Sequence, residues 1–235
     1  MPASPAPKFC VLLPAYREEA HIAAVVRETL AYASDVIVID DGSPDATADA
    51  AQQAGATVIA HVRNQGKGAA IRTGIRHAAE AGYDLAVTMD ADGQHAPSDI
   101  PAFLAAHART HCPVIVGNRM GDTRTMPWVR RKTNLFMSSL LSRTMGQYVP
   151  DTQCGFRLYH KSVFPLLDRP GAARYDAESE ILLRLSLEGH KIGAVTIQTI
   201  YGTERSKVNP FTDTIRFFRM LRRFKKIRKQ WEKNQ

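Results

Sequence analysis

The chain lacks most of what would mark it for a membrane span, the secretory route or a thiolate-held metal. No run approaches the ~20 consecutive apolar residues a spanning helix requires. Only Lys8 precedes the short apolar stretch Phe9–Pro14, and no small-residue cleavage site follows it. The cysteines, Cys10, Cys112 and Cys154, are odd in number and have no CxxC spacing, which argues against a disulfide framework or a Cys-ligated metal. The isolated histidines, His61, His77, His107, His111, His160 and His190, likewise offer no metal spacing; His95 differs only in its sequence neighbours. Neither GxGxxG nor a loop ending in GK[ST] occurs, so dinucleotide-dependent dehydrogenases and P-loop triphosphatases are disfavoured. These absences predict a cytoplasmic protein.

What remains is an ordinary globular composition, 44% hydrophobic and 23% charged, in 235 residues, enough for one domain with a proper core. The net charge of +8 is localised. Residues 205–235 hold 11 Lys and Arg against only Asp213 and Glu232, so the rest of the chain is close to neutral. A local anionic partner fits this better than a protein coated with nucleic acid.

Short β-branched runs alternate with Ala-rich amphipathic stretches. Phe9–Pro14, Val36–Asp40, Thr57–Ala60, Leu85–Met89 and Val114–Gly117 read as strands, and Glu18–Tyr32, Ala46–Ala54, Gly68–Ala81 and Ser98–Ala108 as helices. That order predicts a mostly parallel sheet covered on both faces. Further on, the pattern predicts a helix near Pro127–Met145, a strand near Gly155–Tyr159, a helix near Ala177–Glu188 and a strand near Ile192–Thr199. No internal repeat or linker marks a second globular domain.

Open α/β sheets bind ligands beyond the carboxyl ends of their strands. The polar residues gather there: Pro14-Ala15-Tyr16-Arg17-Glu18, Asp40-Asp41-Gly42-Ser43, Asp90-Ala91-Asp92-Gly93-Gln94 and Gly117-Asn118-Arg119. Asp90, Asp92 and Gln94 supply oxygen at every second position, a donor set that suits Mg²⁺ or Mn²⁺; the plainer reading is an acidic surface turn. A carboxylate in Asp40-Asp41 suits a base N–H or ribose hydroxyl, while Ser43 or Asp45 suits a helix cap. Asn64-Gln65-Gly66-Lys67-Gly68 joins glycines and a cation to a helix start, which favours anions, or is only a glycine-rich opening.

Taken in order, VLLPAYREE, VIVIDDGSPDAT, NQGKGAAIRTGI, MDADGQHAP, GNRM, DTQCGFRLY and YGTERS resemble family 2 glycosyltransferases, and within them the polyprenyl-phosphate (dolichyl-phosphate) mannosyltransferase-like branch. The resemblance runs from residue 11 to about 210. It implies a GT-A fold, a Rossmann-like mostly parallel sheet flanked by helices on both faces. The implied catalytic domain is 1–210, followed by a basic amphipathic helix, 211–235.

The resemblance also implies roles. Pro14, Ala15, Tyr16 and Glu18 surround the donor nucleotide, Asp41 grips base or ribose, and Lys67 lies beside the nucleotide. Asp90, Asp92 and Gln94 hold the metal and through it the donor diphosphate. Arg119 faces the phosphates, Glu178 and Glu180 match an acidic helix start, and Arg205 and Ser206 match a late phosphate-side segment. Arg130 and Asn134 fall near the acceptor-phosphate pair, usually Arg and Ser; Arg131 is an equal candidate, and Asn134 departs from the pattern.

The implied reaction is metal-dependent, inverting transfer of a sugar from a GDP- or UDP-sugar to a lipid-linked acceptor of the polyprenyl-phosphate class. An anionic phosphate needs no general base. A hydroxyl acceptor of a cell-envelope glycan or glycolipid would, and Asp151 or Glu180 is then the candidate. Nucleotidyl transfer is disfavoured because PAYREE stands where a Gly- and Lys-bearing loop belongs. A third class, a non-catalytic peripheral membrane module, rests on the tail alone. There Phe217, Leu221, Phe224, Ile227 and Trp231 share one helical side and basic residues the other, which suits either an anionic bilayer or docking on the domain. A peripheral position on the cytoplasmic face of the membrane is expected, with no nucleic-acid partner; the oligomeric state is not encoded.

Overall fold

The computed structural model describes residues 6–121, 126, 128–169, 177–198, 200, 221, 222 and 224. Arg205, Ser206 and the tail apart from Leu221, Arg222 and Phe224 lie outside these, as does the side chain of Arg130.

A seven-stranded sheet forms the centre, in the order β3-β2-β1-β4-β6-β5-β7. Its strands are β1 (Phe9–Ala15), β2 (Val36–Asp40), β3 (Thr57–Ala60), β4 (Leu85–Thr88), β5 (Val114–Asn118), β6 (Arg157–His160) and β7 (Ile192–Thr196). The crossovers are α1 (Ile22–Leu30), α2 (Thr47–Gln53), α3 (Lys67–Glu80) and α4 (Ile100–Thr110), followed by α5 (Trp128–Met145), the short α6 (Phe164–Leu167) and α7 (Ala177–Leu187). Every residue of β2 and β4 is buried, as continuous β-branched and apolar runs require of strands covered on both faces. The expected mixed α/β architecture is therefore present, and the expected elements stand within a few residues of their sequence bounds. Ser98 and Asp99 form a short 3₁₀ turn ahead of α4 rather than its first residues. The last strand stops at Thr196, and α6 carried no periodic signal of its own.

One strand breaks the parallel pattern. β6 runs antiparallel between β4 and β5, pairing Thr88 with Arg157 on one side and Val116 with Arg157 on the other. Its amino end therefore lies at the edge where β4 and β5 have their carboxyl ends. The segment Asp151–Phe156, which precedes β6, is delivered to the ligand-binding edge, which a rule that looks only after strands does not anticipate.

The tail touches the domain. Leu221 and Phe224 are buried with Leu141 of α5 and Leu183 of α7, with Met137 and Leu140 packed alongside. At these two positions the apolar face is turned to the protein, the docking alternative of the two readings of the tail.

Candidate functional site

The turn after β4 is built around Asp90. Its carboxylate forms ion pairs with the Lys67 ammonium at the start of α3, and the same Lys67 Nζ lies 2.7 Å from Glu178 Oε1 at the start of α7. His95 Nε2 stands 3.6 Å from the other Asp90 oxygen, too far for a hydrogen bond. Burial alone would raise the Asp90 carboxyl, but the Lys67 ammonium and then His95 outweigh it and hold it well below the usual carboxylate range. Burial opposes the Lys67 charge too, yet Asp90 and Glu178 hold it above the usual lysine range. Asp90 thus stays ionised.

The cluster fits only because residue 155 has no side chain. A Cβ on Gly155 would lie 2.8 Å from Asp90 Oδ1 and 2.8 Å from Glu178 Oε1. The Thr88 hydroxyl donates to the Gly155 carbonyl at 2.9 Å and holds that backbone in place. Arg157, fully buried in β6, does the same for the flanking segments. Its guanidinium donates to the carbonyls of Cys154 (2.7 Å), Thr152 (2.9 Å) and Glu178 (2.7 Å). A buried guanidinium with its N–H groups spent on carbonyls ties the loop before β6 to the first turn of α7.

Asp92 and Gln94 sit half-buried on the same turn, and the Gln94 amide donates to Asp92 Oδ1 at 3.0 Å. Among the described residues no group of three His, Cys, Asp or Glu side chains is arranged to hold a metal. A cation here would therefore take Asp90, Asp92 and the Gln94 amide oxygen and complete its shell from ligand oxygens. The residues fit a hard divalent ion: the donors are all oxygen, Asp90 is held as an anion, and such ions tolerate an incomplete protein shell.

Several expected site residues are engaged differently from the sequence reading. Asp41, expected to grip base or ribose, is 3% exposed. Its carboxylate accepts from the backbone N–H of Gln65 (2.9 Å) and Gly66 (2.7 Å) and lies 2.7 Å from His61 Nδ1. It anchors the loop that presents Lys67. Gly42 beside it has φ +70°, and a Cβ there would lie 2.6 Å from the Arg63 carbonyl carbon, so only glycine lets the two loops meet.

Asp151, proposed as a general base, is 0% exposed. It accepts two bonds from the Arg119 guanidinium, Nε at 2.7 Å and Nη2 at 3.0 Å, and one from the Gln153 amide. A carboxylate enclosed in this way orients Arg119 and is not placed to take a proton. Glu180, the other base candidate, pairs with Arg184 one turn on in α7 and lines a shallow cleft with Gly68 and Arg72. Its neighbour Glu178, two residues away and on another face of the helix, is the one that reaches the Asp90 cluster.

Pro14 and Ala15 end β1 beside the parallel strand β2, and Tyr16 is exposed at 37%. The Arg17 amide donates to Ser43 Oγ and the Glu18 amide to Thr47 Oγ1, which joins the first motif to the second. On α5, Arg131 is exposed, whereas Asn134 is buried and its Nδ2 has no hydrogen-bond partner among the described residues. One and two turns later, Ser138 and Ser142 bond the backbone of Thr152 and Val149, so this face of α5 supports the segment that carries Asp151.

Comparison with known proteins adds identity to this geometry. The sequence profile of glycosyl transferase family 2 matches residues 10–166. A UDP-N-acetylglucosamine–dolichyl-phosphate N-acetylglucosaminyltransferase of Methanococcus voltae is 34% identical over 213 residues, covering 81% of this chain and 85% of that one. An undecaprenyl-phosphate mannosyltransferase of Micrococcus luteus is 34% identical over 173 residues, covering 70% and 71%. Among solved structures, glucosyl-3-phosphoglycerate synthase of Mycobacterium tuberculosis, in complex with Mn²⁺, uridine diphosphate and phosphoglyceric acid, superposes with a TM-score of 0.69 at 21% identity. It covers 94% of this chain and 78% of its own.

Proposed function

The chain belongs to glycosyl transferase family 2, and from that premise we propose that it moves a sugar from a GDP- or UDP-sugar to a polyprenyl phosphate, with inversion and with a divalent cation. The observation that carries the reading is the Asp90 carboxylate, paired with Lys67 and packed against Gly155, on the same turn as Asp92 and Gln94. The names of the two relatives, each a transferase to a polyprenyl-type phosphate, support the acceptor class. The solved neighbour with Mn²⁺ and uridine diphosphate supports the cation and the diphosphate.

Departure of a nucleoside diphosphate concentrates negative charge on its phosphates. A cation held by Asp90, Asp92 and Gln94 would supply Lewis-acid stabilisation of that charge. Arg119, oriented by Asp151, adds a fixed positive charge at the same edge. Lys67, between Asp90 and Glu178, brings an ammonium to the start of α3, where helix geometry also favours anions. Pro14, Ala15, Tyr16 and Glu18 border the nucleotide, and Asp41 acts through the loop it anchors. Arg205 and Ser206 are assigned to the phosphate side by their motif alone.

Three carboxylates near the site each face a cation: Asp151 faces Arg119, Glu180 faces Arg184, and Glu178 faces Lys67. With each of these carboxylates already engaged by a cation, the geometry favours an acceptor that needs no base. A phosphate monoester with a second pKa near ~6 is already anionic at neutral pH. The buried, unpartnered Asn134 Nδ2 supports an acceptor phosphate on that side, shared with Arg130 or Arg131. Residues 1–210 form the catalytic unit in this reading and 211–235 an appended segment, with the protein peripheral on the cytoplasmic face of a membrane. No helix among the described residues is long and apolar enough to cross one.

The test is a donor panel with Mn²⁺ or Mg²⁺, reading nucleoside diphosphate release with and without polyprenyl phosphate, on the wild type and Asp92→Ala. Release that requires both cation and acceptor and is lost in the variant is expected. Near-normal turnover by Asp92→Ala overturns the cation assignment, and release indifferent to polyprenyl phosphate overturns the acceptor.

A further inference from the structure

Arg17 holds a backbone conformation that its own side chain disfavours. Its φ is +58°, in the left-handed region that glycine, asparagine and aspartate enter far more readily than arginine. Among the described residues only His111 shares this without being glycine, and His111 ends α4 as a left-handed helix cap. Arg17 caps no helix; it stands in the turn between β1 and α1. That turn is held from outside. The Arg17 amide donates to Ser43 Oγ at 3.0 Å, and the next amide, of Glu18, donates to Thr47 Oγ1 at 2.9 Å. Strain enforced in this way by neighbouring groups gathers at ligand sites.

The consequence is for the side chain. Successive side chains of an extended strand point to opposite faces. The turn at Arg17 instead brings its guanidinium carbon to 5.4 Å from the centroid of the Tyr16 ring, within cation–π range. Both side chains are exposed, and Arg17 pairs with no carboxylate among the described residues. The two acids at this edge are already spent. Asp41 accepts from the Gln65 and Gly66 amides and meets His61, and the buried Asp40 accepts from the amide and hydroxyl of Ser43. Arg17, next to them, keeps its N–H groups to give, and a guanidinium gives without accepting. We propose that Arg17 selects the base of the donor nucleotide by donating to a carbonyl edge, O4 of uracil or O6 and N7 of guanine. Cytosine and adenine present an amino group at the corresponding position, which a donor-only side chain rejects. The proposal rests on the reading that the donor is a nucleotide-sugar, and it gives base recognition to a residue other than Asp41.

The experiment measures binding of UDP, CDP, GDP and ADP to the full chain with Mn²⁺, by isothermal titration calorimetry, for the wild type, Arg17→Gly and Arg17→Lys. The wild type should prefer UDP to CDP, or GDP to ADP, by about tenfold or more, the value of a charge-assisted hydrogen bond. Glycine accepts a positive φ freely, so Arg17→Gly should melt no lower than the wild type while the preference falls to about twofold or less. An arginine with only a structural role would show the reverse, lost stability with selectivity intact. Arg17→Lys keeps the charge without the planar fork, and should retain overall affinity but only about threefold preference. Equal affinity within both pairs in the wild type overturns the proposal, as does a preference that survives in Arg17→Gly. An equal loss of all four nucleotides in Arg17→Gly also overturns it, since Arg17 is then a phosphate contact. If no nucleotide binds the wild type, the nucleotide-sugar reading falls together with the proposal, whereas binding with an unchanged preference removes Arg17 alone.

Discussion

Gly155 and Asp90 stand so close that one added methyl group would lie 2.8 Å from the carboxylate. The two residues come from different ends of the sheet pattern: Asp90 follows β4, whereas Gly155 precedes the antiparallel β6. Gly155→Ala must push Asp90 or Glu178 aside, and a displacement of about 1 Å at a reacting centre costs on the order of 100-fold in rate. Sugar transfer by this variant should fall by about that factor while thermal unfolding stays cooperative. Wild-type turnover in Gly155→Ala would remove the cluster from the mechanism.

Lys67 competes with any cation for Asp90, because its ammonium already pairs with that carboxylate. Lys67→Met should tighten Mn²⁺ binding to the protein without donor by about tenfold, seen as loss of the free-ion electron paramagnetic resonance signal at lower protein concentration. The same variant should lose transfer. If Mn²⁺ affinity drops instead, Lys67 assists the ion and the competition argument fails.

Asp151 holds Arg119 and is enclosed. Removing one partner of a buried ion pair costs about 3–5 kcal/mol, so Asp151→Ala should lower the melting temperature by roughly 10 °C. The residual activity should keep the pH–rate profile of the wild type, since no proton is passed through this group. Loss of one limb of that profile would restore Asp151 as a base.

Burial, followed by the nearby Asp35, pushes the Cys10 thiol up to about 12; burial does the same to Cys154, also to about 12. A raised pKa depletes the thiolate, to on the order of one molecule in ten thousand at pH 8. A disulfide reagent at that pH should therefore label one thiol rapidly, Cys112, and the other two only after unfolding. Cys112→Ser should abolish the rapid phase; two fast thiols in the wild type would contradict the burial.

The parallel half of the fold was legible because its strands are continuous apolar runs and its helices carry a 3.6-residue stripe, so β1 to β5 and α1 to α4 stand near their expected bounds. The turn with Asp90, Asp92 and Gln94 was legible for the same reason: it follows a strand. The insertion of β6 between β4 and β5 was not, since local pattern carries no record of which strands become neighbours. Arg157 in that strand reads as a surface residue until its guanidinium is seen spent on three carbonyls. Glu178 and Glu180 are alike in sequence, and only the helix rotation, about 200° over two residues, sends one to Lys67 and the other to Arg184. The tail was ambiguous in principle. An apolar stripe opposite cations is the same string whether it meets lipid or, as at Leu221 and Phe224, its own domain.

The serine row of α5 has a kinetic consequence. Ser138 and Ser142 fasten the helix to Val149 and Thr152 by hydroxyl-to-backbone bonds, and water can replace such bonds one for one at a net cost of only about 1 kcal/mol each. β1 and β4 are sealed by close-packed aliphatic residues with no such substitute. Backbone amides of α5 should therefore trade their protons for deuterium well ahead of those in β1 and β4, so that one wall of the cleft breathes while the other stands still.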